Sequence, residues 1–104
     1  MKVISLIPLA HNEGGELSKP ELNAILQSLV EQFGRLTTEG KTKGYWTSEG
    51  EKYEDRCLKI SISLERERYE ELQQAIIDIG RKLGQESMYF EVRDFDGVQV
   101  LKVQ

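Results

Sequence analysis

The sequence predicts a single α+β domain with a ferredoxin-like fold, in which two helices cover one face of an antiparallel sheet. Three observations predict it. Apolar and polar residues alternate over 58–64, as in a strand with one apolar face; the apolar ones are Leu58, Ile60, Ile62 and Leu64. Segments with helical apolar spacing lie before and after this strand. The resulting order is β-α-β-β-α-β with an extra C-terminal strand, for which the usual strand order is 4-1-3-2.

The composition fits one domain over residues 1–104. A formal charge of −4 makes nucleic acid a poor obligate ligand, because no excess of cations is available to neutralise phosphates. The single cysteine, Cys57, suits a reducing compartment. The apolar residues 3–10 are too few for a signal peptide and include Pro8. We therefore expect a cytoplasmic protein with no membrane partner.

The first strand is predicted over residues 2–9, and both of its faces are apolar. One face carries Ile4 and Leu6, and the other carries Val3, Ile7 and Leu9. Such a strand lies in the centre of a sheet, or its second face contacts another subunit. A glycine-containing loop follows over residues 10–17.

The first helix is predicted to begin at Ser18, where Glu21 completes a capping box, and to end at Gly34. The second strand, residues 35–46, contains two glycines, and Lys41 and Lys43 indicate an edge position. A turn is expected over 48–51.

The second helix is predicted over residues 65–83 with Gly84 as its cap. The last two strands are predicted over 87–94 and 98–103, joined by the hairpin dipeptide Asp96-Gly97. In a ferredoxin-like fold, strands one and two run in one direction and strands three and four in the other. Three distant segments should therefore meet at one end of the sheet: residues 11–17, 46–54 and 84–87.

Short motifs in these segments resemble a bacterial domain family of unknown function. They are Gly14-Gly15-Glu16-Leu17-Ser18, Gly44-Tyr45-Trp46 followed by Gly50 and Glu54, and Gly84-Gln85-Glu86-Ser87. The family consists of small proteins with a Gly-x-Trp motif and a late Gln-Glu-Ser or Gln-Gln-Ser motif before a final strand. The resemblance spans about residues 2 to 92. It implies a fold and candidate positions, but no reaction. Many members are exported, and this compartment does not carry over, because the chain has no convincing signal.

The predicted ligand-binding residues lie in the three segments, and they are His11, Glu13, Trp46, Glu54, Gln85 and Glu86. Tryptophan offers a flat apolar surface, and histidine titrates near neutral pH. No metal or cofactor is expected, because the acidic residues and His11 show no recognised ligand spacing and Gly14-Gly15 lacks a nucleotide-binding pattern. In the structural alternative, Trp46 packs the hairpin onto the core and Gln85 satisfies loop backbone groups. Catalytic residues remain unassigned.

The function predicted is a non-catalytic binding or regulatory module that forms a homodimer. Apolar residues expected on or near the sheet face away from the helices should be covered by the second copy; they are Val3, Ile7, Leu9, Tyr89, Leu101 and Val103. The edge hairpin is the other possible contact. The Trp46/Gln85/Glu86 end would bind a small ligand or a protein partner. The alternative is a small acid–base enzyme of the dimeric ferredoxin-like kind, with His11 or a carboxylate as the proton-transfer group. An enclosed pocket would favour the enzyme.

Overall fold

A computed structural model describes residues 1–94 and 101–103 and confirms the ferredoxin-like α+β fold. Its elements are β1 (Lys2–Pro8), α1 (Lys19–Phe33), β2 (Thr37–Ser48), β3 (Glu51–Ser63), α2 (Tyr69–Lys82) and β4 (Phe90–Arg93). A 3-10 turn over Arg66–Arg68 precedes α2. The strands are antiparallel in the order β2-β3-β1-β4, which is the predicted order. None of the helices in the described part of the chain is long and apolar enough to cross a membrane.

The core lies between the helices and one face of the two central strands. Val3 lies opposite Ile62 and Ile7 opposite Leu58, and paired residues of antiparallel strands share a face. The apolar row of β3 therefore continues across β1. The helices cover this surface with Leu29, Phe33, Leu72, Ile76 and Ile79, and Leu83, the C-cap of α2, joins them.

The expectation that Val3, Ile7 and Leu9 face away from the helices is wrong. Val3 and Ile7 are buried in the helix-covered core, and Leu9 packs against it. Alternation along β1 defines two apolar faces, but only its pairing with β3 decides which face the helices cover. The opposite face, called here the open face because it lies away from α1 and α2, carries Ile4, which lies opposite Ser61, and both of these residues are buried.

The first helix has the predicted limits. The Glu21 N–H donates to Ser18 Oγ at 3.2 Å, and the Ser18 N–H donates to Glu21 Oε1 at 3.3 Å, so both halves of the capping box are present. Gly34 ends the helix in the left-handed conformation with φ 87°, and its N–H donates to the Val30 carbonyl at 2.7 Å.

The hairpin between β2 and β3 is longer than predicted. Its two-residue turn, Glu49-Gly50, has φ values of 53° and 82°, as a type I′ turn requires. Because β1 pairs with β3 only as far as Cys57, residues 43–56 extend beyond the sheet as a two-stranded ribbon, and each of them is exposed. The molecule is 53 Å long with a radius of gyration of 15.0 Å, against about 13 Å for a compact domain of this size.

Both edges of the sheet differ in detail from the prediction. Strand β2 is an edge strand, as predicted, and its register shifts between Thr38 and Lys41, where Gly40 has φ 100°. Strand β4 is shorter than predicted. The Asp96-Gly97 turn and residues 98–100 of the predicted last strand lie outside the described residues, and residues 101–103 are not in any of the four strands.

Truncating a helix-facing side chain of β3 should destabilise the fold strongly. Ile60 is 1% exposed, so Ile60→Ala should lower the free energy of unfolding by about 2–5 kcal/mol through the cavity it leaves. Ile77→Ala is the control, since Ile77 is 50% exposed on α2. Urea unfolding monitored by circular dichroism gives both values. Equal losses in the two variants would contradict the assignment of the core.

Candidate functional site

Two of the three predicted segments are in direct contact. The Asn12 N–H, in the loop after β1, donates to the Leu83 carbonyl at the end of α2 at 3.0 Å. A Cβ at Gly84 would lie 3.6 Å from Asn12 Cβ. The loop itself closes on its own backbone, since the His11 N–H donates to the Gly15 carbonyl at 2.9 Å. Backbone contacts thus hold residues 11–15 against the junction after α2.

Gly80 positions the junction between α2 and β4, and the sequence analysis missed it. A Cβ at Gly80 would lie 2.5 Å from Met88 Cγ, so a side chain there would displace Met88. The Gln85 N–H donates to the Gly80 carbonyl at 2.9 Å. A glycine in a helix interior costs stability relative to alanine, so an isolated one often marks a close contact. That signal was available in the sequence.

The ribbon carries a stacked aromatic pair. Trp46 lies opposite Tyr53, with ring centroids 4.3 Å apart and ring planes at 17°. Trp46 is 47% exposed and Tyr53 39% exposed. The Tyr53 hydroxyl donates to Glu51 Oε2 at 3.0 Å. The indole therefore stacks on the neighbouring strand instead of packing onto the core. We call the side of the ribbon that bears these rings the aromatic face.

Glu54 lies on the other side of the ribbon from Trp46. It pairs with Tyr45, and successive side chains of a strand point to opposite faces. Its carboxylate oxygen Oε1 lies 3.4 Å from Arg56 Nε. The sequence placed Trp46 and Glu54 at the same end of the fold, and alternation separates them there.

His11 contacts a carboxylate of the first helix. Its Nε2 lies 2.8 Å from Glu21 Oε2. Hydrogen bonding to Ser18 and then to His11 holds the pKa of the Glu21 carboxyl below its usual range. The sequence assigned Glu21 to the capping box alone, because no motif links residues 10 positions apart across a loop.

The predicted site residues do not form one enclosed pocket. His11, Trp46, Glu54 and Gln85 line one open depression that runs around both faces of the ribbon base. Glu86 instead lines a smaller groove between α2 and β4, next to Gln85. Glu13 lines neither and is exposed. The arrangement is a broad surface with separate aromatic and charged parts.

Two further observations bear on the chemistry of this end. Among residues 1–94 and 101–103, no group of three or more His, Cys, Asp or Glu side chains is placed to hold a metal ion. Burial and then the charge of Asp55 raise the pKa of the Cys57 thiol, so the neutral thiol predominates at neutral pH. This environment does not activate Cys57 as a nucleophile.

Comparison with known proteins identifies the fold alone. No protein family model matches the chain, and no curated protein matches it. A phage SAM lyase solved in complex with S-methyl-5′-thioadenosine is similar in structure, with a TM-score of 0.68 and 14% identity over 89% of this chain and 79% of the lyase. A single-residue variant of CutA1 from Pyrococcus horikoshii OT3 has a TM-score of 0.64 and 14% identity over 94% of this chain and 85% of its own. Pyrococcus horikoshii CutA in 3 M guanidine hydrochloride has a TM-score of 0.65 and 14% identity over 94% of this chain and 86% of CutA.

The contacts of Glu21 predict a stability difference that depends on pH. A carboxyl whose pKa is lower in the folded than in the unfolded state stabilises the fold above its unfolded pKa, and this contribution is lost as the pH falls through the folded pKa. Glu21→Gln should therefore unfold more easily than the wild type at pH 7, and the difference should shrink as the pH falls through the acidic range where Glu21 becomes protonated.

Denaturant unfolding at a series of pH values measures this difference. Glu31→Gln, also on α1, is the charge-matched control. A Glu21→Gln deficit that stays constant down to acidic pH would show that the ionised carboxylate does not stabilise the helix start.

Proposed function

We propose that this protein is a small cytoplasmic binding or regulatory module that forms a homodimer and contacts a small ligand or a protein partner through its Trp46/Gln85/Glu86 end. The proposal includes membership of the bacterial family with the Gly-x-Trp and Gln-Glu-Ser motifs. The exposed stack of Trp46 on Tyr53, on a ribbon that leaves the sheet, is the observation that carries it.

The ribbon has the properties of a contact element. A two-stranded hairpin without a packed face is marginally stable in water, so packing against another surface would stabilise residues 43–56. Tryptophan and tyrosine are enriched among the residues that dominate binding energy at protein interfaces. Their stacking fixes both rings before binding, which reduces the entropy that association must remove.

Charge complementarity favours a second copy as the occupant of the aromatic face. Two acidic residues, Glu51 and Asp55, lie on this face beside the rings. The open face of the sheet carries Leu6 and Lys59, which lie directly opposite each other, and Lys59 Nζ also lies 3.8 Å from Glu39 Oε1 of the same chain. Two copies related by a twofold axis can place the aromatic face of each on the open face of its partner, because such an interface uses the same two patches twice.

The alternative function, a small acid–base enzyme, is favoured by the contact between His11 and Glu21. A histidine held by a carboxylate at 2.8 Å is oriented for proton transfer. The similarity in fold to the phage SAM lyase gives one substrate to try, although 14% identity carries no catalytic residue across. The open depression around the ribbon base fits a binding surface better than a water-excluding active site.

Removing the aromatic pair should dissociate the dimer. The wild type should sediment as a dimer at micromolar concentration, and Trp46→Ala/Tyr53→Ala should sediment as a monomer, because the central anchors of the interface are gone. Tyr45→Ala is the matched control, since Tyr45 is 73% exposed on the opposite face of the same ribbon. Circular dichroism checks that each variant is folded. A monomeric wild type, or equal dissociation in the control, would contradict the proposed dimer.

Ligand screening separates the binding module from the enzyme. A ligand that binds only the folded state raises its melting temperature, so a thermal-shift screen of metabolites should find stabilising compounds. SAM and S-methyl-5′-thioadenosine belong in the screen, and chromatography of SAM after incubation measures turnover. We expect no turnover. Consumption of SAM that is abolished in His11→Gln, and retained in the surface variant Glu31→Gln, would establish the enzyme instead.

A further inference from the structure

Strand pairing sorts the charges of the ribbon by face. Over residues 41–56, Lys41, Lys43, Lys52 and Arg56 share the side opposite the aromatic face with a single acid, Glu54. The aromatic face over the same residues carries acids and no cations. We call the first side the basic face. Its positive charge is conspicuous on a chain whose formal charge is −4.

The basic face holds like charges close together. Lys43 and Arg56 are direct partners across the two strands, and like charges in that position destabilise a strand pair. Lys41 lies two residues before Lys43, on the same side of β2. Glu54 lies 3.4 Å from Arg56, but within residues 1–94 and 101–103 neither lysine has an acidic partner within 4.0 Å. A bound anion would relieve the repulsion between these cations.

The start of α1 completes the surroundings of the basic face. Lys41, Lys43 and Arg56 line the same depression as Ser18, Lys19, Leu17 and Leu22, and the acidic residues Glu16 and Glu54 line it as well. The N-terminus of a helix carries a partial positive charge. The Glu21 carboxylate of the capping box offsets it here, so the formal charge of Lys19 is the main contribution of α1 to the three cations of the ribbon. On the side of the basic face, the depression thus brings cations from two elements close to apolar side chains.

We propose that the basic face binds a small multivalent anion, with phosphate or carboxylate groups contacting Lys43 and Arg56 and an apolar portion lying on Leu17 and Leu22. The guanidinium of Arg56 can donate two parallel hydrogen bonds to either kind of group, and the lysine ammoniums act as point charges beside it. This site lies on the opposite side of the ribbon from the proposed dimer contact, so it does not depend on that contact.

Calorimetric titration of the full-length protein with inorganic tripolyphosphate and with citrate tests the site at low ionic strength. Lys43→Gln/Arg56→Gln should weaken binding about 100-fold, because the contact of one charged side chain with the anion is worth roughly a factor of 10 and two such side chains are replaced. Arg81→Gln/Lys82→Gln removes the same charge from α2 and is the control, in which binding should be unchanged. Tighter binding of tripolyphosphate would identify phosphate as the anionic group that the site recognises, and tighter binding of citrate would identify carboxylate.

Three results would overturn the proposal. The first is that the wild type binds neither anion. The second is that both double variants bind equally more weakly, which would indicate non-specific attraction. The third is that Lys43→Gln/Arg56→Gln sediments differently from the wild type while its affinity for the anion is unchanged. The last result would show that the basic face contacts another protein chain. Circular dichroism of both variants ensures that lost binding is not lost folding. Sedimentation of Trp46→Ala/Tyr53→Ala addresses the dimer separately, so failure of one proposal leaves the other standing.

Discussion

The register of β1 on β3 is the constraint on which the rest of the structure depends. With Val3 opposite Ile62 and Ile7 opposite Leu58, the apolar row of β3 continues into β1 and forms the surface that both helices cover. A shift of one residue would turn Val3 and Ile7 to the open face and bring Ile4 and Leu6 under the helices. Because β1 is apolar on both faces, hydrophobicity alone opposes such a shift weakly. A hydrogen bond of Ser5 also favours the observed register. Ser5 is buried on the helix side, and its hydroxyl donates to the Tyr89 carbonyl at 2.7 Å.

The same alternation governs the ribbon, where no core exists to enforce it. The turn Glu49-Gly50 sets the register, since its positive φ angles suit a two-residue loop that matches the twist of the flanking strands. Trp46 then meets Tyr53, and Lys43 meets Arg56. A longer or shorter turn would move rings and cations onto a common side. The chemical difference between the two faces of the ribbon is therefore a property of the turn as much as of the side chains.

Sequence patterns predicted the element order, the strand order and the end of the sheet where three segments meet, because these follow from periodicity, capping residues and topology. Which face of β1 the helices cover did not follow, since a strand with apolar residues on both sides looks the same in either orientation. The length of the ribbon was also missed: residues 51–55 are polar apart from Tyr53, and nothing in their composition separates a strand from a loop. At the candidate site, Trp46 and Gln85 were placed at the correct end, whereas the contact of His11 with Glu21 depends on loop geometry that no local pattern encodes.

Separation of the two faces has a consequence for how the ribbon can act. Side chains two residues apart along a strand share a surface, so each face offers a row of groups about 7 Å apart, and a partner of one face has no access to the groups of the other. An interface built on Trp46 and Tyr53 leaves Lys43 and Arg56 on the other face of the ribbon, where they line the same depression as Ser18 and Lys19. Self-association and anion binding are therefore sterically compatible on one short hairpin. Two of the cross-strand pairs match in chemical type, Trp46 with Tyr53 and Lys43 with Arg56, and this matching keeps the rings and these cations on separate faces.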